Sequence, residues 1–361
     1  MQKIIVLGIV LGTIILSACQ DSATESDTKP FVWSTAAPED HDIDAQQLDL
    51  AFYFAQQKGF IHSFLLVRNG FLVGEHYFHG FDKSDAFRVM SVSKSFISAL
   101  VGLAIENGYL ESLDQKMMDF FPQYIRYVDN PTKYDITIRH LLSMRAGYDN
   151  SIEDYEQNWS NWVNSPDWLL YALTWKMTSM PGRDFAYITA ETHLLSAILT
   201  AATDMSTLAF ARRYLFNPLG ITVQHWEQDP GGIYIGGFGM YFTARDLARF
   251  GYLYLRNGML ENKQILSPAW IDASLQQHSW LGGPWGELEN IAYGYLWWLG
   301  TLDGKTCYMA LGYGGQFIIN FPELDLIIVV TSASDLPKDE ADQQEREVLS
   351  VVTDYVLPAI M

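Results

Sequence analysis

Strand-forming sequence lies at the two ends of this chain and almost nowhere between them. Near the start, Phe64-Leu65-Leu66-Val67-Arg68-Asn69-Gly70-Phe71-Leu72-Val73-Gly74-Glu75-His76-Tyr77-Phe78 reads as two strands joined by an Asn-Gly turn, a pair suited to the positive φ angles of a tight hairpin. β-rich runs return only at Tyr293 to Leu299, Thr306 to Leu311, Gln316 to Phe321 and Leu326 to Thr331, separated by Gly, Pro, Asp and Asn. From about residue 110 to 290 the chain reads as mostly helical. Starts fall at Ser165-Pro166, Thr243-Ala244-Arg245-Asp246 and Ser267-Pro268, and stops at Gly147 and Asn257-Gly258. Asp42 or Asp44 can cap an earlier helix with Leu48, Ala51, Phe52 and Ala55 on one side, and a last helix, Glu345 to Leu357, carries Val348, Leu349, Val352 and Val356 on one face. The expected class is α/β in its α+β form, an antiparallel sheet built from both chain ends and flanked by helices, with a mainly helical region inserted.

The amino end bears on location. Lys3 precedes an uncharged stretch from Ile4 to Leu16, short for a bilayer span and typical of a signal-peptide core. It runs into Leu16-Ser17-Ala18-Cys19, which resembles the lipobox of bacterial lipoproteins. That resemblance implies cleavage before Cys19, a lipid on Cys19, and an exported protein anchored to the periplasm-facing membrane or the outer membrane. The division expected is a signal peptide over 1–18, a polar linker over 19–40 and a folded domain over 41–361. With Cys19 lipidated, Cys307 is the one thiol left, so the fold rests on its core without an internal disulfide. A 49% apolar composition supplies that core. A net charge of −19 makes nucleic acid and anionic lipid surfaces poor partners. Oligomeric state is not legible.

Chemistry concentrates on one helix, Phe87-Arg88-Val89-Met90-Ser91-Val92-Ser93-Lys94-Ser95-Phe96-Ile97-Ser98-Ala99-Leu100-Val101-Gly102-Leu103-Ala104-Ile105, in which Lys94 is the only charge after Ser91. On a helical wheel Lys94 falls between Val101 and Ile105, within the apolar stripe that also holds Ile97, Leu100 and Ala104. An amine aimed at a core loses hydration, and the positive end of the helix dipole disfavours its charge, so its pKa falls toward that of a usable base. Ser91, one turn back, is within its reach, as an activated nucleophile requires. The competing reading is a lysine whose stem packs while its amine reaches water. The helix alone does not decide between them. A second Ser-x-x-Lys, Ser26 to Lys29, sits in a polar run without apolar period and reads as linker.

Other routes to catalysis find little support. There is no Gly-x-Ser-x-Gly elbow, and the histidines at 41, 62, 76, 79, 140, 193, 225 and 278 never show paired ligand spacing on a helix. His76 and His79 read as opposite faces of one strand. Gly231-Gly232 and Gly236-Gly237-Phe238-Gly239 lack phosphate-loop spacing and read as turns. No metal and no cofactor are expected.

Ser91-Val92-Ser93-Lys94 is similar to the Ser-x-x-Lys of the serine β-lactamase and penicillin-binding protein superfamily. Its surroundings resemble the branch of class C β-lactamases, carboxylesterases and 6-aminohexanoate-dimer hydrolases, the last group most. The resemblance continues through Ile136-Thr137-Ile138-Arg139-His140-Leu141-Leu142-Ser143-Met144, Pro181-Gly182-Arg183-Asp184-Phe185-Ala186-Tyr187, Gly236-Gly237-Phe238-Gly239-Met240-Tyr241-Phe242-Thr243-Ala244-Arg245-Asp246, Tyr293-Gly294-Tyr295-Leu296-Trp297-Trp298 and Gly312-Tyr313-Gly314-Gly315-Gln316. It covers about residues 40 to 335 and implies a β-lactamase/transpeptidase-like fold. It also implies a serine hydrolase that opens an ester or amide through an acyl-enzyme on Ser91. By the same resemblance Tyr187 matches the catalytic tyrosine, which with Lys94 would move protons. Tyr313-Gly314-Gly315 matches the third motif, with the glycines either admitting substrate to the backbone or forming a plain turn. The oxyanion would take one N–H from Ser91 and another from the strand edge at Gln316.

Two departures bear on substrate. Thr189 stands where relatives often have Asn, and Tyr313 where penicillin-handling relatives commonly place a cation, so a β-lactam carboxylate lacks an obvious charge partner. A small-molecule ester, amide or peptide-like substrate is therefore expected. A β-lactamase or D-alanyl-D-alanine peptidase is the alternative within enzymes, and a sensor that acylates without turnover is the alternative outside them. Trp159, Trp162, Trp168, Trp175, Trp285, Trp297 and Trp298 surround these motifs, mostly as core, and none is assigned to binding.

Overall fold

Asn69 and Gly70 take φ of 51° and 83°, and the strands Ile61–Arg68 and Phe71–Tyr77 pair across them as the sequence predicts. The structure is a computed structural model that describes residues 31–361. The expected signal peptide, Cys19 and most of the linker lie outside the described residues. The hairpin forms one edge of an open eight-stranded sheet. Across the sheet run Phe71–Tyr77, Ile61–Arg68, Leu326–Ser332, Gln316–Phe321, Lys305–Gly312, Trp298–Leu302, Leu288–Tyr293 and Ser279–Gly282. Every pairing is antiparallel. The two chain ends meet at the pairing of Ile61–Arg68 with Leu326–Ser332, where Leu65 lies opposite Val329 and Ser63 Oγ is 2.6 Å from Thr331 Oγ1.

Side chains alternate across the pleat. Phe64, Leu66, Phe317, Ile319, Ile328 and Val330 join a core with Leu48, Ala51, Phe52 and Ala55 of the helix Ala45–Gln57 and with Val348, Leu349 and Val352 of the carboxyl-terminal helix. The intervening residues face the helix Ala244–Leu255, where a β-carbon on Gly251 would sit 2.7 Å from Ile318 Cγ2 and 3.0 Å from Ile327 Cγ2. Asp44, not Asp42, caps the first helix, accepting from the Gln46 and Gln47 amides at 2.9 and 3.1 Å. Thr243 and Ser267 cap where expected.

Several expectations are corrected by tertiary contacts. Tyr293 to Leu299 is not one strand but a turn between Leu288–Tyr293 and Trp298–Leu302. Leu296 takes a φ of 60° there, its amide donating to Leu142 O and its carbonyl accepting from Ser95 Oγ at 2.7 Å. The late run of strands in the large sheet thus begins at Ser279, earlier than the apolar runs suggest, and the expected helical region also holds the short strands His225–Trp226, Met240–Phe242, Met259–Leu260 and Lys263–Gln264. Asp167 rather than Ser165 caps Trp168–Thr174. Gly147 ends no helix; it takes a φ of 90° five residues beyond Ile138–Leu142. The last helix starts at Lys338, well before Glu345; its first turns carry few apolar residues, and that polarity hides the period. His79, with a φ of 58°, lies past the strand that holds His76. Residues 32–361 form one compact unit. Trp33 is buried and Thr35 bridges Leu72.

Candidate active site

The helix Val92–Glu106 is buried along nearly its whole length, Lys94 included. Ser91 stands at its mouth without using its hydroxyl as a cap. Met90, just before, takes a φ of 49°, a left-handed conformation that a residue with a β-carbon adopts at a cost. The kink turns the chain sharply out of Phe87–Arg88 into the helix. Lys94 Nζ reaches back 2.8 Å to Ser91 Oγ and donates to Gly237 O at 2.9 Å. With 1% exposure, desolvation lowers its pKa to about 7. The amine is buried rather than carried to water, unlike the competing reading of a lysine that packs only its stem.

Gly237 is the residue that sequence reasoning missed. A β-carbon there would collide with Thr189 Cγ2 and sit 3.5 Å from Lys94 Nζ, and one on Gly236 would strike Thr192 O. Two adjacent glycines that lack phosphate-loop spacing were the available signal, since they mark close backbone approach as well as turns. The loop is clamped from beneath by a buried pair, His193 Nε2 with Asp229 Oδ2 at 3.0 Å. Asp229 Oδ1 also accepts the Ile233 amide at 2.8 Å. Burial opposes ionisation of Asp229, yet the His193 hydrogen bond holds its carboxyl below the usual range. Lys94 makes its hydrogen bonds to Ser91 and Gly237 rather than to Thr189.

Tyr187 comes to the same place. Lys94 Nζ is 5.0 Å from its ring centroid, and the ring packs against Trp298 at 5.5 Å and Tyr293 at 6.1 Å. The motif around His140 supports this segment. Thr137 and His140 form a reciprocal capping box, the His140 imidazole packs over Gly182, and Met144 O accepts the Ala186 amide at 2.9 Å.

The third motif is arranged differently from expectation. Gly312 pairs with Gln316 across the hairpin and its carbonyl accepts from the Gly315 amide at 3.2 Å, so Gly312 faces its partner strand. By alternation Tyr313 turns its N–H to the other side, toward the cavity, past the point where Trp298–Leu302 stops pairing. Gln316 is fully buried inside the sheet, its amide clasping the Ser332 backbone at 2.7 and 3.1 Å. It does not line the cavity. Gly314 and Gly315 take φ of 80° and 96° and pack on residues 332–334 and Val348, so the turn geometry, not substrate approach, requires them. The Gly314 amide donates to Glu345 Oε1 at 3.0 Å and the Tyr313 hydroxyl to Leu336 O at 2.8 Å.

Ser91, Tyr187 and Tyr313 open onto a cavity of about 450 Å³ whose wall includes Trp285, Trp298, Leu288, Ile291, Leu281 and Leu311. Two of the tryptophans read as core thus line it. Lys338, Asp342 and Glu345 also line it.

A 6-aminohexanoate-dimer hydrolase of Paenarthrobacter ureafaciens is 26% identical over 299 residues, 75% of this chain and 72% of that one. A Bacillus anthracis structure assigned to the 6-aminohexanoate-dimer hydrolases superposes with a TM-score of 0.70 at 22% identity, over 92% of this chain and 89% of that one. The octameric penicillin-binding protein homologue of Pyrococcus abyssi gives 0.67 at 17% identity, over 87% and 77%. The Beta-lactamase family model matches residues 62–353, a span that contains every residue lining the cavity. The chain therefore belongs to the Beta-lactamase family of hydrolases, with the β-lactamase/transpeptidase fold.

Proposed function

We propose that this protein is a serine hydrolase that cleaves a neutral ester or amide through an acyl-enzyme on Ser91. The observation that carries the reading is the Lys94 amine, 1% exposed and 2.8 Å from Ser91 Oγ, with burial as the cause of its lowered pKa. A neutral amine accepts the Ser91 proton across that hydrogen bond as Oγ forms its bond to the substrate carbonyl carbon. The oxyanion is met by the Ser91 N–H at the helix start and the Tyr313 N–H at the strand end. Neither donates elsewhere among the described backbone bonds. Breakdown of the tetrahedral adduct breaks the bond to the leaving group, which takes its proton from the Lys94–Tyr187 pair. Water then attacks the acyl carbon, gives its proton to the same pair, and Ser91 Oγ leaves and is reprotonated.

A neutral substrate is favoured because Lys338, the cationic side chain among the described residues lining the cavity, is held by Asp342 at 2.7 Å. Tyr313 supplies no charge for a β-lactam carboxylate. A fluorophosphonate should label Ser91, and Ser91→Ala should abolish the labelling. An adduct mapped by peptide mass spectrometry to another serine would overturn the assignment. We also propose export and a lipid anchor at Cys19, on the Leu16-Ser17-Ala18-Cys19 sequence.

A further inference from the structure

The turn that carries Tyr313 joins Lys305–Gly312 to Gln316–Phe321. Gly312 O accepts the Gly315 amide at 3.2 Å, and Gly314, third of the four residues, takes a φ of 80° while Tyr313 takes no positive angle. This is the type II arrangement, in which the peptide between the two central residues is turned over relative to type I. Two consecutive residues of the helix Lys338–Val351 hold Gly314 at both its ends. Glu345 Oε1 accepts the Gly314 amide at 3.0 Å, and Gln344, with its side-chain nitrogen facing the turn, donates to Gly314 O at 2.8 Å and Ala333 O at 3.0 Å. The Tyr313 ring is tied separately, through its hydroxyl to Leu336 O at 2.8 Å. The Gly314 amide belongs to the central peptide itself, so Glu345 fixes which way that peptide faces. At 5% exposure it leaves little room for water to take its place. Burial is the largest influence on its carboxyl, with Asp342, Lys338 and Arg346 nearby on the helix and Tyr313 across from it, and pushes the pKa up to about 8. Near pH 7 it therefore holds a proton and accepts through a neutral carbonyl oxygen, as a glutamine amide does.

We propose that Glu345 is a positioning residue for the oxyanion site: by holding the Gly314 amide it fixes the turn that aims the Tyr313 N–H into the cavity. The inference deepens the serine-hydrolase reading and rests on it for the oxyanion itself. The Ser91 N–H is set by the helix that it opens. Tyr313 stands past the end of the pairing with Trp298–Leu302 and takes its position from its turn. An oxyanion donor acts on charge that develops in the transition state, so displacing it lowers kcat more than it changes KM. Loss of support for the fold alone would lower the melting temperature without that split.

The test is steady-state hydrolysis of p-nitrophenyl butyrate at pH 7 by the full chain, with hydrogen exchange followed in the peptide spanning residues 311–316. Glu345→Gln keeps an acceptor at the same reach and should retain kcat within about threefold, since one neutral acceptor replaces another. Two variants should not. Glu345→Met has similar length and no acceptor, and Glu345→Asp keeps the carboxyl on a shorter arm. Each should lower kcat about tenfold to a hundredfold, as a displaced oxyanion donor implies, with KM changed by less than about threefold. Each should also speed exchange over 311–316, whereas Glu345→Gln should not. Melting temperatures show which variants fold, and the Asp variant carries the test where the Met variant does not. Unchanged kcat in a folded Met or Asp variant, a loss of kcat that Glu345→Gln shares, a change confined to KM, or exchange over 311–316 that stays at the wild-type rate would each overturn the proposal. A wild-type protein that neither hydrolyses the ester nor takes a fluorophosphonate on Ser91 would overturn the serine-hydrolase reading and this inference with it, so the wild-type result tells the two failures apart.

Discussion

Burying an amine with no carboxylate beside it costs folding free energy, and Lys94 shows the sign of that cost. Its folded pKa, about 7, lies below the ordinary lysine value of 10.5. Between those values the unfolded chain binds the extra proton, so the penalty is full below about pH 7 and is relieved as pH rises toward the ordinary value. Lys94→Met removes the penalty with little change in volume. It should raise the melting temperature at pH 7 by a few degrees while lowering turnover of a chromogenic ester by roughly 10²-fold to 10⁴-fold. Wild-type kcat/KM should fall about tenfold per unit as pH drops below 7. A mutant that is both less stable and inactive would make Lys94 a packing residue. The apolar stripe narrowed the placement of Lys94 to two readings, buried or reaching water, and could not choose between them, because a lysine stem packs the same way in both. Gly237 was not legible, because a carbonyl acceptor leaves no side-chain signature. Gln316 misled because strand alternation cannot be phased from a glycine-rich turn: three residues, 313 to 315, separate it from its partner Gly312.

At the scale of elements, the site depends on a loop held against the helix Thr189–Thr203 by the His193–Asp229 pair, exposed by 0% and 2% at its side chains. Removing one partner of a buried pair strands the other, at about 3–5 kcal/mol. Asp229→Ala should therefore lower the melting temperature markedly and, by loosening the Gly237 carbonyl from Lys94, lower kcat more than it raises KM. Thermal denaturation and steady-state kinetics on one ester check both, and an effect on KM alone would place the pair in substrate binding. Elements with local determinants were readable: Asp44 before an amphipathic run, Asn69-Gly70 between alternating residues, Thr243 and Ser267 as caps. Those set by distant contacts were not. Leu296 turns where its sequence favours a strand, because its amide and carbonyl are taken by Leu142 and Ser95, 154 and 201 residues away in the chain.

For the whole molecule, the question is what would keep so acidic a chain at a membrane. A net charge of −19 repels an anionic bilayer surface. No single helix among the described residues is long and apolar enough to cross one. Retention through charge and retention through a lipid on Cys19 make opposite predictions. Attraction of charged patches weakens in salt, whereas acyl chains contribute about 0.8 kcal/mol for each buried methylene, and two or more hold firmly. The wild-type protein should therefore stay with the membrane fraction through a 1 M salt wash and incorporate labelled palmitate. Cys19→Ser should abolish the label and leave the protein either secreted or unprocessed. Release of the wild type by salt, or palmitate labelling that persists in Cys19→Ser, would refute the anchor and leave the hydrolase reading, which rests on Ser91 and Lys94, untouched.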